Sequence, residues 1–393
     1  MAVGCESIRS ELPQFLAGAA SAPQSARGRR GAAPEPRRGR QTGQAAPDKP
    51  DSSGPAKSSS DVSEVTEAVS ASRRPDVYFA QMFTGTGRNF WVRTIQALIA
   101  LLVLLNAAYY TLRPDLGVLA RGLRSRSSHC SIVDLFKAAV DYGGHAWTSE
   151  LLHRNSRLLR QDPAGFEQWE TSSGRFWLPA GDIGSLEEQL AEQKRMIYGA
   201  WAGAVHRGDI VLDCGAHVGV FTREAFAAGA RLVVAIEPAP ENIACLRRNV
   251  GGEIEAGRVL VYEKGVWDKD DLLTISVNPH ASVVDGFVMK WEDSYDGPRV
   301  PLTTIDKLVQ ELQLDRVDFI KMDIEGAEQR AVAGARQTLA RFKPRMALSV
   351  YHLPDDREKI PQLVRQAQPG YRVECGPCAG GFVDNFPGVL YFR

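Results

Sequence analysis

Hydrophobic positions in the second half of the chain follow two alternating periodicities. Short runs of apolar and β-branched residues are separated by stretches in which apolar residues recur at helical spacing. This alternation is typical of a parallel β-sheet covered on both faces by helices. The predicted strands span residues 210–214, 232–237, 259–263, 317–323, 346–351, 371–375 and 389–392.

Helical periodicity fills the intervals between these strands. The predicted helices span residues 222–228, 241–249, 305–312, 327–342 and 356–367. The pattern therefore predicts an α/β fold with a doubly wound, Rossmann-like sheet of seven strands. The sheet is mostly parallel, and its last two strands pair as a C-terminal antiparallel hairpin. We expect this domain to occupy residues 206–393.

A mixed lead-in precedes the domain and covers residues 128–205. Apolar residues at helical spacing predict helices over residues 131–140 and 186–204, and the short run 174–179 predicts a strand. In the second helix Tyr198 and Trp201 are expected to be core contacts rather than ligand contacts.

One apolar segment stands apart from this pattern. Residues 94–112 carry no charged side chain. A helix of this length is just long enough to cross the core of a bilayer. Trp91, Tyr109 and Tyr110 lie near its ends, where interfacial aromatic residues are expected. The sequence predicts a single transmembrane helix over residues 90–113. A buried core helix, an in-plane helix and a signal peptide are the alternatives.

Composition changes the picture for residues 1–81, which are rich in Ala, Ser, Pro, Gly and Arg. Such a segment cannot bury enough apolar surface to offset its ordering entropy, so we expect a disordered, solvated arm. Met82 is an alternative start of the protein. The formal net charge is +0, so no specific nucleic-acid partner is expected.

The six cysteines include one Cys-x-x-Cys pair, Cys375 and Cys378. A zinc site would need further ligands at matching spacing, and a redox motif would be expected near the start of a thioredoxin-like unit. We therefore predict only a turn between two late strands.

Candidate chemistry begins where the first strand of the domain ends. Asp213, Gly215 and Gly219 form a D-x-G-x-x-x-G loop that opens a helix, whereas the dinucleotide fingerprint G-x-G-x-x-G is missing from it. Glycines let a ligand approach the backbone, and the helix N-terminus favours a carboxylate. A cofactor with an ammonium, a sulfonium and a carboxylate fits this loop better than a pyrophosphate.

Glu237 ends the second strand, where an acid accepts hydrogen bonds from the ribose hydroxyls of an adenosine cofactor. Enzymes that use a nicotinamide cofactor also have an acid there, so Glu237 alone does not separate the two classes. Asn242 begins the following helix, and we expect it to cap that helix or to contact the ribose.

Two further strand ends carry polar side chains. Asp323, Glu325 and Glu328 follow the strand over residues 317–323, and His352 follows the next one. Stabilisation by the helix dipole accounts for Glu325 and Glu328, so no metal site is predicted. The alternative is that these three acids hold a divalent cation.

Together these segments resemble the FkbM-type family of class I S-adenosylmethionine (SAM)-dependent methyltransferases. The resemblance lies in VLDCGAHVGVFT (211–222), AIEPAPENIACLRRN (235–249), TTID (303–306), IKMDIEGAE (320–328) and SVYHLPDD (349–356). It implies O-methylation of a hydroxyl on a sugar, a polyketide or a related small molecule. It also implies that Asp213, Gly215, Gly219 and Glu237 bind SAM and that Asp323 lies beside the methyl-transfer site.

The expected enzyme uses His352 or Asp323 as the base that removes the hydroxyl proton, and the near-neutral pKa of histidine favours His352. A small-molecule or lipid-linked hydroxylated acceptor fits an anchored enzyme. Because SAM is made in the cytosol, we expect a single-pass membrane protein whose catalytic domain faces the cytoplasm. A nicotinamide-dependent oxidoreductase and a catalytically silent SAM-binding module are the alternatives.

Overall fold

The computed structural model describes residues 85–112, 114–124, 130–199, 204–376, 378–379 and 386–393. The predicted arm over residues 1–81, Met82 and Trp201 lie outside the described residues. The described residues from Leu101 to Arg393 belong to one compact unit.

The helices are α1 (Gly85–Leu112), α2 (Leu116–Arg124), α3 (Ile132–Asn155), α4 (Ile183–Lys194), α5 (Val220–Ala227), α6 (Pro240–Asn249), α7 (Gly251–Glu255), α8 (Ile305–Glu311), α9 (Glu328–Ala333), α10 (Arg336–Phe342) and α11 (Asp356–Ala367). The strands are β1 (Arg157–Gln161), β2 (Phe166–Thr171), β3 (Gly174–Pro179), β4 (Ile210–Cys214), β5 (Leu232–Ile236), β6 (Val259–Tyr262), β7 (Gly265–Val266), β8 (Asp271–Val277), β9 (Tyr295–Thr303), β10 (Phe319–Met322), β11 (Arg345–Ser349), β12 (Val373–Cys375), β13 (Cys378–Ala379), β14 (Phe386–Pro387) and β15 (Val389–Phe392).

The main sheet has seven strands in the order β12-β15-β11-β10-β4-β5-β6. Strand β4 is central and pairs in parallel with β10 on one side and β5 on the other. Strand β15 is inserted antiparallel between β11 and β12. The predicted doubly wound α/β fold is therefore confirmed, including all seven strands and the antiparallel pairing at the C-terminus.

Strand β4 shows why this sequence forms a sheet with two covered faces. All five of its residues are buried. Ile210, Leu212 and Cys214 point to one apolar core, and Val211 points to a second core on the opposite face together with Phe319. Successive strand residues face opposite sides, so a continuous apolar run requires that both faces be covered.

The long helix predicted over residues 327–342 is two helices in the structure. The break lies at Gly334, where an added Cβ would stand 2.1 Å from the carbonyl oxygen of Trp267. This close approach of two backbones requires a glycine, and helix α10 begins only after it. The helix predicted over residues 131–140 is longer, and the one over 186–204 ends earlier, at Lys194.

Two small three-stranded sheets were not predicted in full. Strand β3 matches the prediction for residues 174–179. The other two strands of its sheet, β1 and β2, lack a regular alternation of exposed and buried residues, so no pattern predicted them. The second sheet, β7-β9-β8, lies between β6 and α8 along the chain.

The cysteine pair near the C-terminus is not the simple turn that the sequence predicts. Cys375 ends β12 and Cys378 begins β13, and Cys378 forms a disulfide with Cys130. The two bonded residues are 248 positions apart in sequence. The disulfide therefore joins the segment before α3 to the C-terminal strands.

Helix α1 contains the predicted apolar segment. Residues Asn89–Leu112 have a mean hydropathy of 1.8, and none of this window is buried. By length and composition the helix could cross a membrane, and a signal sequence would meet the same criteria.

Candidate functional site

A pocket opens at the carboxyl ends of β4, β5 and β10, where ligands bind in doubly wound sheets. It contains about 580 Å³ of space between atoms, which includes solvent at its mouth. Four of the predicted residues line it: Gly215, Glu237, Asn242 and Asp323. Among the described residues, the other three predicted site residues do not line the pocket: Asp213, Gly219 and His352.

The two glycines of the loop after β4, Gly215 and Gly219, have different structural roles. Both have positive φ angles, 79° for Gly215 and 94° for Gly219. A Cβ on Gly215 would stand 2.0 Å from the carbonyl oxygen of Asp323, so the loop and the end of β10 touch backbone to backbone. A Cβ on Gly219 would meet Leu246 at 2.8 Å, so this glycine allows α5 to pack closely against α6.

Asp213 is fully buried behind the loop and forms an ion pair with Lys321. The two residues are cross-strand partners in β4 and β10, and Nζ of Lys321 lies 3.5 Å from Oδ1 of Asp213. Lys321 also donates a 2.7 Å hydrogen bond to the carbonyl oxygen of Gly215. Burial would lower the pKa of Lys321, but Asp213 and Asp323 raise it, so the ammonium remains charged. Lys321 is not among the site residues that the sequence predicts.

Glu237 lies just beyond β5 and shapes the floor of the pocket. Its carboxylate accepts hydrogen bonds from the backbone N–H of His217 at 2.9 Å and of Ala239 at 3.0 Å. Asn242 donates to the carbonyl oxygen of Ser282 at 3.2 Å, and Ala239 is the N-cap residue of α6. The capping role expected for Asn242 is therefore wrong.

His217 is part of the loop after β4, and its side chain connects this loop to Gln189 and Ser282 on the other side of the pocket. Its Nδ1 is 2.9 Å from Oε1 of Gln189, and its Nε2 is 2.7 Å from Oγ of Ser282. Burial lowers the pKa of His217 to about 3, so the imidazole is neutral. This side chain fixes the pocket wall and carries no charge toward a ligand.

Residues 282–287 complete the wall of the pocket, and no sequence pattern predicted that they would do so. Ser282 forms a hydrogen bond with Asp182, which precedes α4, and Asp285 accepts a 2.8 Å hydrogen bond from the backbone N–H of Asn278. Gly286 packs against Glu325, where an added Cβ would stand 2.8 Å from the Cβ of that residue. No local motif marks this loop, because its position depends on the β8–β9 sheet.

Asp323 is held by aromatic hydroxyl groups on the reacting side of the pocket. The hydroxyl of Tyr198 donates to Oδ2 at 2.8 Å, and that of Tyr351 lies 3.4 Å from Oδ1. Burial would raise the pKa of Asp323, but Lys321 and His352 hold it below its usual value. Tyr198 is buried as expected, yet it also contacts the candidate site.

His352 lies behind Asp323 among three carboxylates. Its Nδ1 is 2.9 Å from Oε1 of Glu328, and its Nε2 is 3.4 Å from Oε1 of Glu325 and 3.7 Å from Oδ1 of Asp323. Burial would lower the pKa of His352, but Glu328, Glu325 and Asp323 raise it well above its usual value. The near-neutral pKa that favoured His352 as the base is therefore not found here.

The explanation of Glu325 by a helix dipole is also wrong. Helix α9 begins only at Glu328, and Glu325 precedes it with a positive φ of 53°. Such a backbone conformation is costly for a residue with a side chain and is concentrated at functional sites. Glu328 does lie in the first turn, where its carboxylate accepts a 2.9 Å hydrogen bond from the N–H of Ile324.

Comparison with known proteins agrees with this geometry. Residues 213–373 match the family model described as Methyltransferase FkbM domain. The resemblance predicted from the sequence motifs is confirmed for this stretch, which is similar to the FkbM methyltransferase domain.

One curated relative is the 2-O-methyltransferase NoeI of Sinorhizobium fredii, which is 27% identical over 125 residues. The match covers 27% of this chain and 49% of NoeI, so the chain spans about half the length of this relative.

Solved structures with detectable likeness include methyltransferase FkbM from Methylobacillus flagellatus, with a TM-score of 0.35 and 24% identity over 47% of this chain and 44% of that chain. The tRNA m1G37 methyltransferase of M. jannaschii has a TM-score of 0.35 and 13% identity over 60% and 56% of the two chains.

The buried ion pair gives a first prediction. Lys321→Met leaves the carboxylate of Asp213 buried without its partner, so we expect the free energy of unfolding to fall by about 3–5 kcal/mol. Denaturant unfolding measures this loss. Lys359→Met, which breaks an exposed pair with Asp355, is the matched control and should cost at most about 1 kcal/mol. Equal losses in the two variants would contradict the assignment.

The pocket wall gives a second prediction, on pH. Burial raises the pKa of Asp285 from 3.8 to about 8, so the folded protein holds a proton that the unfolded chain releases. Wild-type stability should therefore fall relative to Asp285→Asn as the pH rises from about 4 to 8, by on the order of 1–3 kcal/mol. Unfolding measured across this range tests the difference. Parallel pH profiles, like those expected for the exposed control Asp315→Asn, would disprove it.

Proposed function

We propose that the chain is a SAM-dependent methyltransferase that methylates a hydroxyl oxygen on a sugar, a glycolipid or a polyketide-like small molecule. One observation carries the proposal. A single pocket joins the glycine loop and Glu237, which suit an adenosine cofactor, to the carboxylate of Asp323. Backbone contact between Gly215 and Asp323 keeps these two sides together.

The residues of the pocket fit the proposed cofactor. Glu237 stands at the end of β5, where an acid can accept hydrogen bonds from ribose hydroxyls. Oδ1 of Asn242 is buried and has no hydrogen-bond partner among the described residues, so it is a second acceptor available to a hydroxyl. The open backbone at Gly215 leaves room for the amino-acid part of SAM. Asp213 does not line the pocket and supports the site indirectly, because it holds the Lys321 ammonium that donates a hydrogen bond to the loop.

When bound, SAM supplies a methyl group that its sulfonium already activates. The protein must then place the acceptor oxygen in line with that methyl group and receive the hydroxyl proton. We assign the proton to the carboxylate of Asp323, because Asp323 lines the pocket whereas His352 lies behind it. Tyr198 and Tyr351 orient this carboxylate, and His352 supports it from the rear.

The hydroxyl acceptor is supported by the family match and by NoeI, which is named a 2-O-methyltransferase. We further propose that residues 206–393 are the catalytic domain, with residues 128–205 as its lead-in, and that α1 attaches the protein to a membrane. A lipid-linked hydroxylated acceptor would then be within reach of the pocket.

Two other functions make different predictions for ligand binding. A nicotinamide-dependent oxidoreductase would bind NAD, although the loop after β4 has no G-x-G-x-x-G sequence. A catalytically silent module would bind SAM and transfer nothing.

Calorimetric titration of the full chain in detergent tests the proposal. SAM and S-adenosylhomocysteine should both bind, NAD should not, and Glu237→Ala should abolish the adenosyl signal because it removes the ribose acceptor. Glu241→Ala, on the exposed start of α6, is the matched control and should bind normally. Binding of NAD without SAM would disprove the proposal.

Turnover separates the enzyme from the silent module. With hydroxylated acceptors and radiolabelled SAM, the wild type should transfer methyl groups. Asp323→Asn should retain SAM binding and lose turnover by roughly 10²–10⁴-fold, the usual contribution of a general base. Full turnover by this variant would remove Asp323 from its assigned role.

A further inference from the structure

His352 and the three carboxylates around it form a compact cluster at the rear of the pocket. The exposed fraction of the side chain is 3% for His352, 0% for Glu328, 11% for Glu325 and 18% for Asp323. One ligand atom from each of Asp323, Glu328 and His352 lies within 4.8 Å of the others. Asp323 and Glu325 also reach the pocket lining.

Several atoms of this cluster have no hydrogen-bond partner among the described residues. They are Nε2 of His352, Oε2 of Glu325 and Oε2 of Glu328. A buried polar atom without a hydrogen-bond partner is costly. Three carboxylates face one imidazole, and the neighbouring Lys321 is already engaged by Asp213 and Gly215. The cluster therefore carries more negative than positive charge, and it offers oxygen and nitrogen atoms that could coordinate a metal ion.

We propose that this cluster binds a divalent cation through Nε2 of His352 and the carboxylates of Asp323 and Glu325. Glu328 contacts Nδ1, and a carboxylate on the second ring nitrogen is the usual way in which a metal-ligating histidine is oriented. Ligand atoms at right angles around such a cation lie about 3 Å apart. The observed separations of 3.4 Å and 3.7 Å therefore need to close by less than about 1 Å.

The ligand set indicates both the metal and its use. Carboxylate oxygens suit Mg²⁺ and Mn²⁺, whereas an imidazole nitrogen suits transition metals, so Mn²⁺ satisfies both preferences. Because Asp323 and Glu325 line the pocket, the cation would face the acceptor. It would bind the acceptor hydroxyl and favour its ionisation. This use rests on the proposed function, but binding of the cation can be measured without turnover.

Titration of the full chain with Mn²⁺, followed by electron paramagnetic resonance, tests the site. We expect one Mn²⁺ per chain, with affinity weakened roughly 10–100-fold by Glu328→Gln, which removes the orienting carboxylate. Glu325→Gln removes a ligand and should weaken binding at least as much. Glu358→Gln, on the exposed face of α11, is the control and should bind as the wild type does.

Calorimetry with SAM on the same samples shows whether each variant is folded and keeps the two proposals separate. SAM binding without Mn²⁺ binding overturns the cation site and leaves the proposed function standing. Mn²⁺ binding that none of the cluster variants weakens places the cation elsewhere and also overturns it. Mn²⁺ binding without SAM binding supports the site and counts against the proposed function.

A second inference rests on the disulfide between Cys130 and Cys378. Disulfides persist in oxidising compartments, whereas the cytosol keeps thiols reduced. Both cysteines of this bond follow α1 in sequence, so they lie on the carboxyl side of the helix that could span a membrane.

We infer that residues 130–393 face the oxidising side of the membrane, opposite to the orientation that the sequence predicts. Flanking charge does not oppose this assignment, since four arginines stand on each side of the apolar run within about 20 residues. They are Arg73, Arg74, Arg88 and Arg93 before it, and Arg113, Arg121, Arg124 and Arg126 after it. SAM would then have to be carried across the membrane to reach the pocket.

Glycosylation mapping of the full chain in eukaryotic microsomes tests the orientation. The natural sequence has no Asn-x-Ser/Thr acceptor. Arg157→Thr completes one at the exposed Asn155, and Lys57→Asn creates one on the other side of α1. We expect a glycan only with Arg157→Thr, and Asn155→Gln in the same chain should remove it. A glycan with Lys57→Asn, or with neither variant, overturns the inference.

Discussion

The buried ion pair between Lys321 and Asp213 is the interaction on which the arrangement of the site depends. It joins the two central strands, β4 and β10, at the point where both end. A charge pair so deeply buried is stable only if its remaining hydrogen-bonding capacity is used, and Lys321 uses it on the carbonyl oxygen of Gly215. The conformation of the glycine loop is therefore tied to the register of the sheet beneath it.

That tie explains how the residues proposed to bind the cofactor and the carboxylate proposed to accept the proton come to share one pocket. Gly215 touches the backbone of Asp323, so the loop cannot shift without moving the carboxylate that follows β10. Asp323 is held in turn by Tyr198, which comes from the lead-in, and by Tyr351, which follows β11. Each contact joins a different part of the chain, and together they fix the carboxylate against the mouth of the loop.

Sequence patterns predicted the sheet because its central strands are local apolar runs with both faces buried. The same reasoning found Glu237 and Asp323, since strand ends are visible in the sequence. It missed Lys321, because a lysine inside an apolar strand has no meaning until its cross-strand partner is known. It also missed Asp285 and the partner of Cys378, which depend on contacts between segments far apart in the chain. Local periodicity identifies elements, whereas these roles arise only from their packing.

The charges around Asp323 indicate what the pocket must receive. Lys321 is neutralised by Asp213, so the carboxylates beyond β10 face a single imidazole and are otherwise unbalanced. The proposed sulfonium cofactor would bring one positive charge to the front of this group, and the proposed divalent cation would bring two to its rear. Without such charges the protein would bear the cost of several buried carboxylates and a strained Glu325 for no structural return. The cluster is therefore better explained by binding of cations than by stabilisation of the fold.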